Sequence, residues 1–341
     1  MWYPSSSSSF TQSSPLSLYK PILHLQLHSP QSQTPLTKPP TAHGDGDCSP
    51  SLPFNVKSIT STSNPFVKHC VKLRNSSSYR HAHGSVLLVG NTPIREMYNF
   101  QESMHEKVSR IDCLLLHEKA KVPEELVGSG IRIVRVSSVV MKKLCGVQSI
   151  ESIDAISLVR IPSTFHALDD DRHPDFTKWF PSTFRILVLD GIQDPGNLGT
   201  LLRSAVAFGW DGAFLLPGCC DPFNEKALRA SRGASFQLPM VSGQWSDLQS
   251  LVDGFKMKIF AGDPGTKDVP VSCLTHELAC SLMDTKLCLV LGSEGLGISE
   301  KAREASELVS IKMVGEFESL NVSVAGGIFL FMLQPLKSVD R

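Results

Sequence analysis

Apolar residues in this chain alternate between short continuous runs and stretches with helical spacing. The run Ile186 to Leu189 is rich in β-branched residues and too short for a helix, so it predicts a buried strand. The break at Asp190-Gly191 and the sequence Asp194-Pro-Gly-Asn197 have turn composition. Helical spacing follows at Leu198, Leu201, Leu202, Ala205 and Val206. The pattern predicts a strand, a polar loop and a helix, which in parallel sheets place ligands at the strand's carboxyl end.

The same alternation continues through residues 184–336 and predicts an α/β domain. Asn224 has the chemistry of a helix N-cap, and Ser319 and Asn321 have it before a long apolar helix over Val322 to Leu333. The predicted strands are Gly212 to Leu216, Lys258 to Ala261, Lys286 to Leu291 and Leu308 to Ile311. Three strand ends therefore carry polar loops: Asn197 with Arg203, Gly292 with Glu294, and Ser319 with Asn321.

A smaller α/β module is predicted over residues 64–162. Asn64-Pro65 marks a helix start, and further helices are expected near Ile94 to Phe100 and Val139 to Leu144. The predicted strands are Ser85 to Gly90, Ile111 to Leu116, Ile131 to Val136, which alternates and should be half exposed, and Ala155 to Ile161. Residues 163–183 interrupt all periodicity with acidic residues and prolines, which predicts a linker between two domains.

Residues 1–60 have the composition of a targeting segment rather than that of a folded domain. They are rich in Ser, Thr, Pro and Gln, their only acids are Asp45 and Asp47, and the first Arg of the chain is Arg74. This composition predicts a disordered segment that serves as an organelle transit peptide. The lack of Arg favours the chloroplast over the mitochondrion, and an ordinary disordered tail is the alternative.

Composition limits the classes of function. The chain has 341 residues, with 33 Lys and Arg against 33 Asp and Glu, so any nucleic-acid site must be a local patch. Nine Cys without CxxC pairs indicate a reducing compartment, no disulfide framework and no metal site. No apolar run is long enough to cross a membrane.

Two basic groups are candidates for contacting RNA phosphates. Arg74 and Arg80, with His81 and His83, cluster near the start of the first module, and Arg229 and Arg232 flank a loop at Gly233. The alternative is a solvated basic face, which is what charge runs usually are.

Familiar ligand motifs are absent from the strand ends. The stretch Gly196-Asn-Leu-Gly199 does not supply the G-x-G-x-x-G of dinucleotide-binding folds. Gly262-Asp-Pro-Gly-Thr-Lys267 has the letters of a P-loop in the wrong order, and Ser293 lacks the flanking residues of a nucleophile elbow.

Three motifs do resemble a known family. They are Asp194-Pro-Gly-Asn-Leu-Gly199 with Arg203, Gly292-Ser-Glu-Gly295, and Ile311-Lys-Met-Val-Gly-Glu-Phe-Glu-Ser-Leu-Asn-Val-Ser323. Their order and spacing are similar to those of the SpoU (TrmH-like) RNA ribose 2′-O-methyltransferases of the SPOUT superfamily, here of plant organellar type. Asn64-Pro65 and the strand at Ser85 are similar to the L30e-like RNA substrate-binding domain that often precedes the catalytic domain.

The resemblance implies a SPOUT α/β domain with a C-terminal trefoil knot, S-adenosylmethionine as cofactor and a homodimer. By the motifs, Gly292, Ile311 and Leu320 would hold the cofactor. The catalytic set would be Arg203, Asn197, Glu294, Ser319 and Asn321. The sequence departs from the family at Lys312, where a proline is usual. This departure concerns the fine geometry of the cofactor loop rather than activity.

The implied reaction is methyl transfer to a ribose 2′-hydroxyl of structured RNA, with rRNA favoured over tRNA. Arginine rarely loses its proton, so we expect Arg203 to orient the hydroxyl and stabilise developing negative charge rather than act as a base. The alternative is a non-catalytic RNA-binding or ribosome-assembly factor that keeps the fold.

Overall fold

A computed structural model describes residues 55–103, 110–147, 153–168, 174–181, 183–265, 271–315 and 319–335. The described residues belong to one compact unit. Most of the predicted disordered segment and transit peptide lies outside the described residues. None of the described helices is long and apolar enough to span a membrane.

The first module is a five-stranded mixed sheet with strand order β1-β4-β3-β5-β2. Its elements are β1 (Ser58–Ile59), α1 (Pro65–Asn75), α2 (Ser77–His83), β2 (Ser85–Val89), α3 (Asn91–Ser103), β3 (Ile111–His117), β4 (Ile133–Val136), α4 (Ser138–Cys145) and β5 (Ala155–Arg160).

The helix and strand predictions for this module are confirmed. Asn64 caps α1, because its side chain accepts a hydrogen bond from the Phe66 amide at 2.9 Å and Pro65 begins the helix. Strand β4 alternates between buried and half-buried residues, as its pattern predicts. Apolar side chains of α1, α4 and the sheet pack against one another in a core that includes Leu73, Leu115 and Met141.

The lower boundary of the module was predicted wrongly. Ser58–Ile59, which the composition assigned to the disordered segment, forms strand β1 and pairs in parallel with β4. Ile59 is buried in the core. A strand this short carries no periodicity, so only its pairing partner makes it visible.

The second module is an eight-stranded sheet in which every pair of neighbours is parallel, with order β11-β13-β10-β12-β7-β8-β9-β6. Its elements are β6 (Phe165–Ala167), α5 (Phe176–Trp179), β7 (Arg185–Asp190), α6 (Pro195–Ala207), β8 (Gly212–Leu215), α7 (Glu225–Ser231), β9 (Met240–Ser242), α8 (Trp245–Phe255), β10 (Lys258–Gly262), β11 (Ser272–Cys273), α9 (His276–Ser281), β12 (Leu287–Gly292), α10 (Glu300–Ala305), β13 (Glu307–Ser310) and α11 (Val322–Met332).

The predicted linker over 163–183 is corrected by this sheet. Phe165–Ala167 forms β6, which pairs in parallel with β9, and Phe176–Trp179 forms α5. The segment therefore contributes to the second module instead of only joining the two. Three strand residues are too few to show a period of two.

Close helix packing positions the loop after β7. Asp194 caps α6, and Leu198, Leu201 and Leu202 bury its apolar face as predicted. A Cβ placed on Gly199 would lie 2.3 Å from the Ala227 carbonyl oxygen, so α6 and α7 meet at backbone distance. On its other side α6 packs against α11, where a Cβ on Gly326 would lie 2.2 Å from the Leu201 side chain.

The carboxyl ends of four neighbouring strands meet at one edge of the sheet. Strands β13, β10, β12 and β7 are adjacent and parallel, so the residues after each of them face the same side. All three predicted polar loops lie at this edge.

Candidate functional site

A cavity of about 360 Å³ opens at this edge of the sheet. Its wall is made by the loop after β10, the loop after β12 and the segment between β13 and α11. The predicted cofactor-binding residues Gly292, Ile311 and Leu320 all line it, and so do Glu294 and Ser319. The motifs that are far apart in sequence therefore meet around one space.

The loop after β12 is a tight turn that requires glycine at its start. The Ser293 amide donates to the Gly297 carbonyl at 3.0 Å, and the Gly297 amide donates back to Ser293 at 2.9 Å. A Cβ on Gly292 would lie 2.2 Å from the Gly297 carbonyl group. Gly297 itself has φ of 69°, in the left-handed region. The turn holds the side chain of Glu294 between the cavity and α6.

Glu294, Asn197 and Asn321 form a hydrogen-bonded cluster, which we call the amide–carboxylate cluster. The Asn197 amide donates to Glu294 Oε1 at 2.8 Å, and the Asn321 amide donates to the same oxygen. Asn321 Nδ2 also lies 3.3 Å from Asn197 Oδ1. The two amides fix one carboxylate oxygen and leave the other available to a ligand.

Asn321 is held rigidly because it also caps α11. Its Oδ1 accepts from the Ser323 amide at 2.9 Å and from the Val324 amide at 3.3 Å. The Oδ1 atom of Asn321 thus caps α11, while its Nδ2 group orients the carboxylate of Glu294. The capping role predicted for Asn321 is confirmed, and Ser319 lies exposed at the cavity instead of capping the helix.

A second cavity of about 250 Å³ lies on the other side of the Glu294 turn. Gln193, Asp194 and Asn197 line it, and it shares the wall Ser293 to Leu296 with the first cavity. The carboxylate of Glu294 therefore lies at the boundary between two spaces. This arrangement suits a reaction between two ligands held side by side.

Arg203 is not part of the amide–carboxylate cluster. It lies on the exposed side of α6, and among the described residues the structure records no hydrogen bond or ion pair to its guanidinium. The group is therefore free to contact a ligand that approaches from outside the cavity.

A charged pair in the cavity wall belongs to none of the predicted motifs. Asp263, directly after β10, is 5% exposed at its side chain and accepts from Arg303 Nη2 at 2.7 Å. The two side chains both line the first cavity. Asp263 follows a predicted strand in the same way as the motif residues do, and this position was the available signal.

The first group of predicted RNA-binding arginines has a different role. Arg80 is 3% exposed and donates to Asp221 Oδ2 at 2.6 Å and to two backbone carbonyls, so its prediction as a phosphate contact was wrong. Arg74 is largely covered and donates to the carbonyls of Lys143 and Leu144. Both guanidinium groups therefore stabilise the folded protein through internal hydrogen bonds.

The second group remains at the surface but is paired. Arg229 lies 3.8 Å from Glu225 and Arg232 lies 3.1 Å from Glu96, both about half exposed. Exposed pairs of this kind open readily toward a stronger anion.

Asp221, between β8 and α7, joins the two modules. Besides Arg80 it accepts from Ser77 Oγ at 2.7 Å and lies 3.5 Å from His81 Nε2. Burial raises the pKa of the Asp221 carboxyl, but the hydrogen bond from His81, the charge of Arg80 and the bond from Ser77 outweigh it, so the pKa lies well below its usual range. The carboxylate is ionised throughout the neutral range.

Within the described parts of the chain, no cluster of three or more His, Cys, Asp and Glu side chains is arranged to hold a metal ion. Burial raises the pKa of the Cys145 and Cys219 thiols to about 11, which leaves both as unreactive thiols.

The fold and the site define a class of α/β protein that binds a ligand across the carboxyl ends of a parallel sheet. Comparison with known proteins identifies the family within this class. The profile of the SpoU rRNA Methylase family matches residues 185–331. A Synechocystis protein named as an uncharacterised tRNA/rRNA methyltransferase is 31% identical over 285 residues, which is 82% of this chain and 94% of that protein. The chain belongs to the SpoU rRNA methylase family.

Further relatives and solved structures are similar to this chain. The 23S rRNA (guanosine(2553)-2′-O)-methyltransferase RlmP of Bacillus subtilis is 34% identical over 44% of this chain, and the chain spans 58% of its length. A solved structure of the SpoU methyltransferase AviRb from Streptomyces viridochromogenes superimposes with a TM-score of 0.64 at 20% identity, over 79% of this chain and 96% of that one. An AdoMet-bound rRNA methyltransferase from Sinorhizobium meliloti gives 0.62 at 23% identity, over 82% and 97%. These structures share the fold.

Proposed function

We propose that this protein transfers the methyl group of S-adenosylmethionine to a ribose 2′-hydroxyl of structured RNA. The observation that carries the proposal is the amide–carboxylate cluster, in which Asn197, Glu294 and Asn321 come from three separate motifs and meet between two cavities. Family membership supports it, and so do relatives named as rRNA 2′-O-methyltransferases.

The first cavity fits S-adenosylmethionine in size and in chemistry. Its volume of about 360 Å³ lies within the usual range for small-molecule sites. Leu291, Met313 and Phe329 offer apolar walls for a planar base, while Glu294 and Asp263 offer carboxylates for hydroxyls or positive charge. Gly292, Ile311 and Leu320 would hold the cofactor, largely through their backbone.

When bound, S-adenosylmethionine supplies a methyl group already activated by a sulfonium. The chain's own residues then have to align donor and acceptor and exclude water. Glu294, fixed by two amides, is placed to accept a hydrogen bond at the boundary of the two cavities. Ser319 offers a hydroxyl on the same wall.

Arg203 supplies positive charge on the acceptor side of the reaction. Its guanidinium stays protonated, so it orients the ribose or the adjacent phosphate and stabilises the negative charge that develops on the attacking oxygen. Its exposed position on α6 suits a group that meets a large RNA.

The favoured substrate is rRNA rather than tRNA. Two relatives, RlmP of Bacillus subtilis and RlmB of Escherichia coli, are named as 23S rRNA guanosine 2′-O-methyltransferases. They are 34% and 36% identical to this chain over 44% and 43% of its length. The first module is proposed as an L30e-like RNA-binding domain. Its five-stranded α/β sheet and the similarity of solved structures over about four-fifths of the chain support this assignment.

A trefoil knot is proposed for the end of the second module. After β13, near one edge of the sheet, the chain returns to α11, which packs against α6, β10 and β12. The residues on either side of this connection, among them Ile311 and Leu320, line the same cavity as the loop after β12, and this proximity supports the proposal.

A homodimer is proposed on the strength of an apolar face of α11. Val324 is 52% exposed and Phe331 is 56% exposed, and the Phe331 ring packs edge-on against Phe208 at 5.5 Å. Exposed apolar side chains gathered on one helix are typical of a protein interface.

The chloroplast is the proposed location, with the mitochondrion as the alternative, and the plant organellar type rests on the same observation. The support is the hydroxyl-rich, acid-poor composition of residues 1–60. Imaging of a fluorescent fusion of the full chain tests this proposal, and a cytosolic signal would contradict it.

The reaction is tested by mapping ribose methylation in organelle rRNA and tRNA from a knockout beside wild type. Loss of one 2′-O-methyl site supports the proposal and names the substrate. If every site persists, purified protein is incubated with labelled S-adenosylmethionine and the same RNAs. Absence of label in RNA, combined with RNA binding, would establish the non-catalytic assembly factor instead.

A further inference from the structure

The charged pair Asp263–Arg303 in the wall of the first cavity belongs to none of the three motifs. Asp263 is almost fully buried, and its Oδ1 accepts from the Gly265 amide at 2.8 Å while its Oδ2 accepts from Arg303 at 2.7 Å. A buried ion pair is weak evidence for a stabilising role, because desolvation offsets much of the attraction. Its place in a ligand cavity calls for a functional account.

The position of Asp263 along the sheet edge separates it from the amide–carboxylate cluster. Strand β10, which it follows, lies between β12 and β13, whereas the cluster lies where β12 meets β7. The methyl group has to lie near the cluster, next to the second cavity. The nucleoside part of the cofactor is then left with the β10 side, where Asp263 lines the wall.

The chemistry of the pair selects among the groups of the cofactor. Arg303 already neutralises the carboxylate, so the pair has little net attraction for the cofactor's ammonium or carboxylate. An ionised carboxylate has about four acceptor sites, and two are used, so two remain for neutral donors. The neutral donors of the cofactor are the adenine amino group and the two vicinal ribose hydroxyls. The vicinal hydroxyls match the two remaining acceptor sites, and carboxylates near strand ends bind ribose hydroxyls in other α/β folds.

We infer that Asp263 binds the 2′- and 3′-hydroxyls of the cofactor's ribose and that Arg303 is its positioning residue. This inference rests on the proposed use of S-adenosylmethionine. Arg303, on α10, is 35% exposed at the cavity and fixes the carboxylate from the solvent side. The amide of Gly265 fixes it from the chain side.

The test is calorimetric binding of S-adenosylhomocysteine and its 2′-deoxy and 3′-deoxy analogues to the full chain. In the wild type, removal of either hydroxyl should weaken binding by about 10-fold or more, as for a hydrogen bond to a charged group. In Asp263→Asn this preference should shrink to about threefold or less. The control Asp112→Asn removes another ion-paired carboxylate, 41% exposed and paired with Arg160, and should keep the full preference.

Arg303 is tested by the same preference. Arg303→Met should reduce the preference for S-adenosylhomocysteine over its deoxy analogues although Asp263 is still present. Arg303→Lys should keep more of this preference than Arg303→Met does. This pair of variants also serves if Asp263→Asn does not fold. If the ion pair had only a structural role, its loss would weaken the binding of all three ligands equally. The preference for the ligand with both hydroxyls would then persist, and this result would overturn the inference. If the wild type bound none of the ligands, the proposed function itself would fail.

Discussion

Glu294 is the residue on which the site converges. Its carboxylate accepts from side chains that lie 97 and 27 residues away in sequence. Its neighbours Gly292 and Gly297 allow the tight turn that presents it, and nothing larger than glycine fits at position 292. The geometry of the cluster therefore depends on backbone positions as much as on the polar side chains.

Replacement of Arg203 by Lys should lower turnover by about 100-fold, as loss of a preorganised donor to a developing oxyanion does. A lysine keeps the charge but not the planar, forked donor geometry. Cofactor affinity should stay unchanged, because Arg203 does not line the first cavity. Single-turnover kinetics with calorimetric binding of S-adenosylhomocysteine measure both effects.

A variant that kept nearly full turnover would exclude any role that depends on the guanidinium geometry. Lys226→Arg is a matched control, because it exchanges the same two side chains near the start of α7, outside both cavities. It should leave turnover unchanged.

The residues of the amide–carboxylate cluster could be predicted from sequence because they lie in polar loops after predicted strands and because their motifs resemble those of a known family. Carboxyl ends of adjacent parallel strands meet, so polar residues at those ends meet as well. Asp263–Arg303 could not be predicted in the same way, since Arg303 lies on the six-residue helix α10, which shows no clear period in the sequence. Arg80 was mistaken for a surface residue because its acidic partner, Asp221, is 141 residues away.

At the scale of the secondary-structure elements, α6 and α7 pack closely against each other. Gly199 brings the two helices to backbone distance at Ala227. Since Asn197 lies in the first turn of α6, this contact also sets the position of one member of the cluster.

Gly199→Ala should destabilise the protein by about 3 kcal/mol, the upper part of the range for overpacking, because the added methyl meets a backbone carbonyl that cannot rotate away. Gly254→Ala is the matched control. A Cβ there meets nothing within 4 Å on α8, so the change should stabilise by about 0.5 kcal/mol through lower unfolded-state entropy. Urea unfolding followed by circular dichroism measures both free energies, and equal midpoints for the two variants would refute the packing argument.

Long elements could be predicted from sequence and very short ones could not. Strands β7 and β12 are buried along five and six residues, respectively, and stand out as apolar runs. Strands β1, β6, β9 and β11 have two or three residues each, and they exist only because a neighbouring strand completes their hydrogen bonds. The formation of such short strands depends on tertiary contacts, and the local pattern of residues carries no information about those contacts.

At the scale of the whole molecule, the two modules are joined through Asp221. Asp221→Asn should lower the free energy of unfolding by about 3 kcal/mol at pH 7, since it leaves the buried Arg80 without its counter-charge. The folded-state pKa of Asp221 is lowered, so its stabilisation is fully present above the unfolded-state pKa and is lost as the pH falls toward the folded-state pKa.

The difference between wild type and Asp221→Asn should therefore shrink as the pH falls below about 4, where an unfolded aspartate begins to protonate. Denaturant titrations between about pH 2 and 7 measure it. A difference that kept growing below about pH 4 would contradict the assigned charge state.

The assembly of two chains is the second property of the whole molecule. Phe331→Glu should convert a dimer to a monomer at micromolar concentration, because it buries a charge in the proposed interface. Val139→Glu, at a residue of α4 that is 65% exposed, should leave the mass unchanged. Light scattering on a sizing column distinguishes the two, and a wild type that runs as a monomer would refute the proposed interface.

The link between Asn197 and Asn321 has a consequence for biosynthesis. The two residues lie 124 positions apart, so the amide–carboxylate cluster cannot form until almost the entire second module has left the ribosome. Contacts of such separation close late and slowly, since a long loop must be ordered before they form. A nascent chain that ends before α11 therefore has no assembled cluster, and the proposed catalytic site is complete only after α11 has been synthesised.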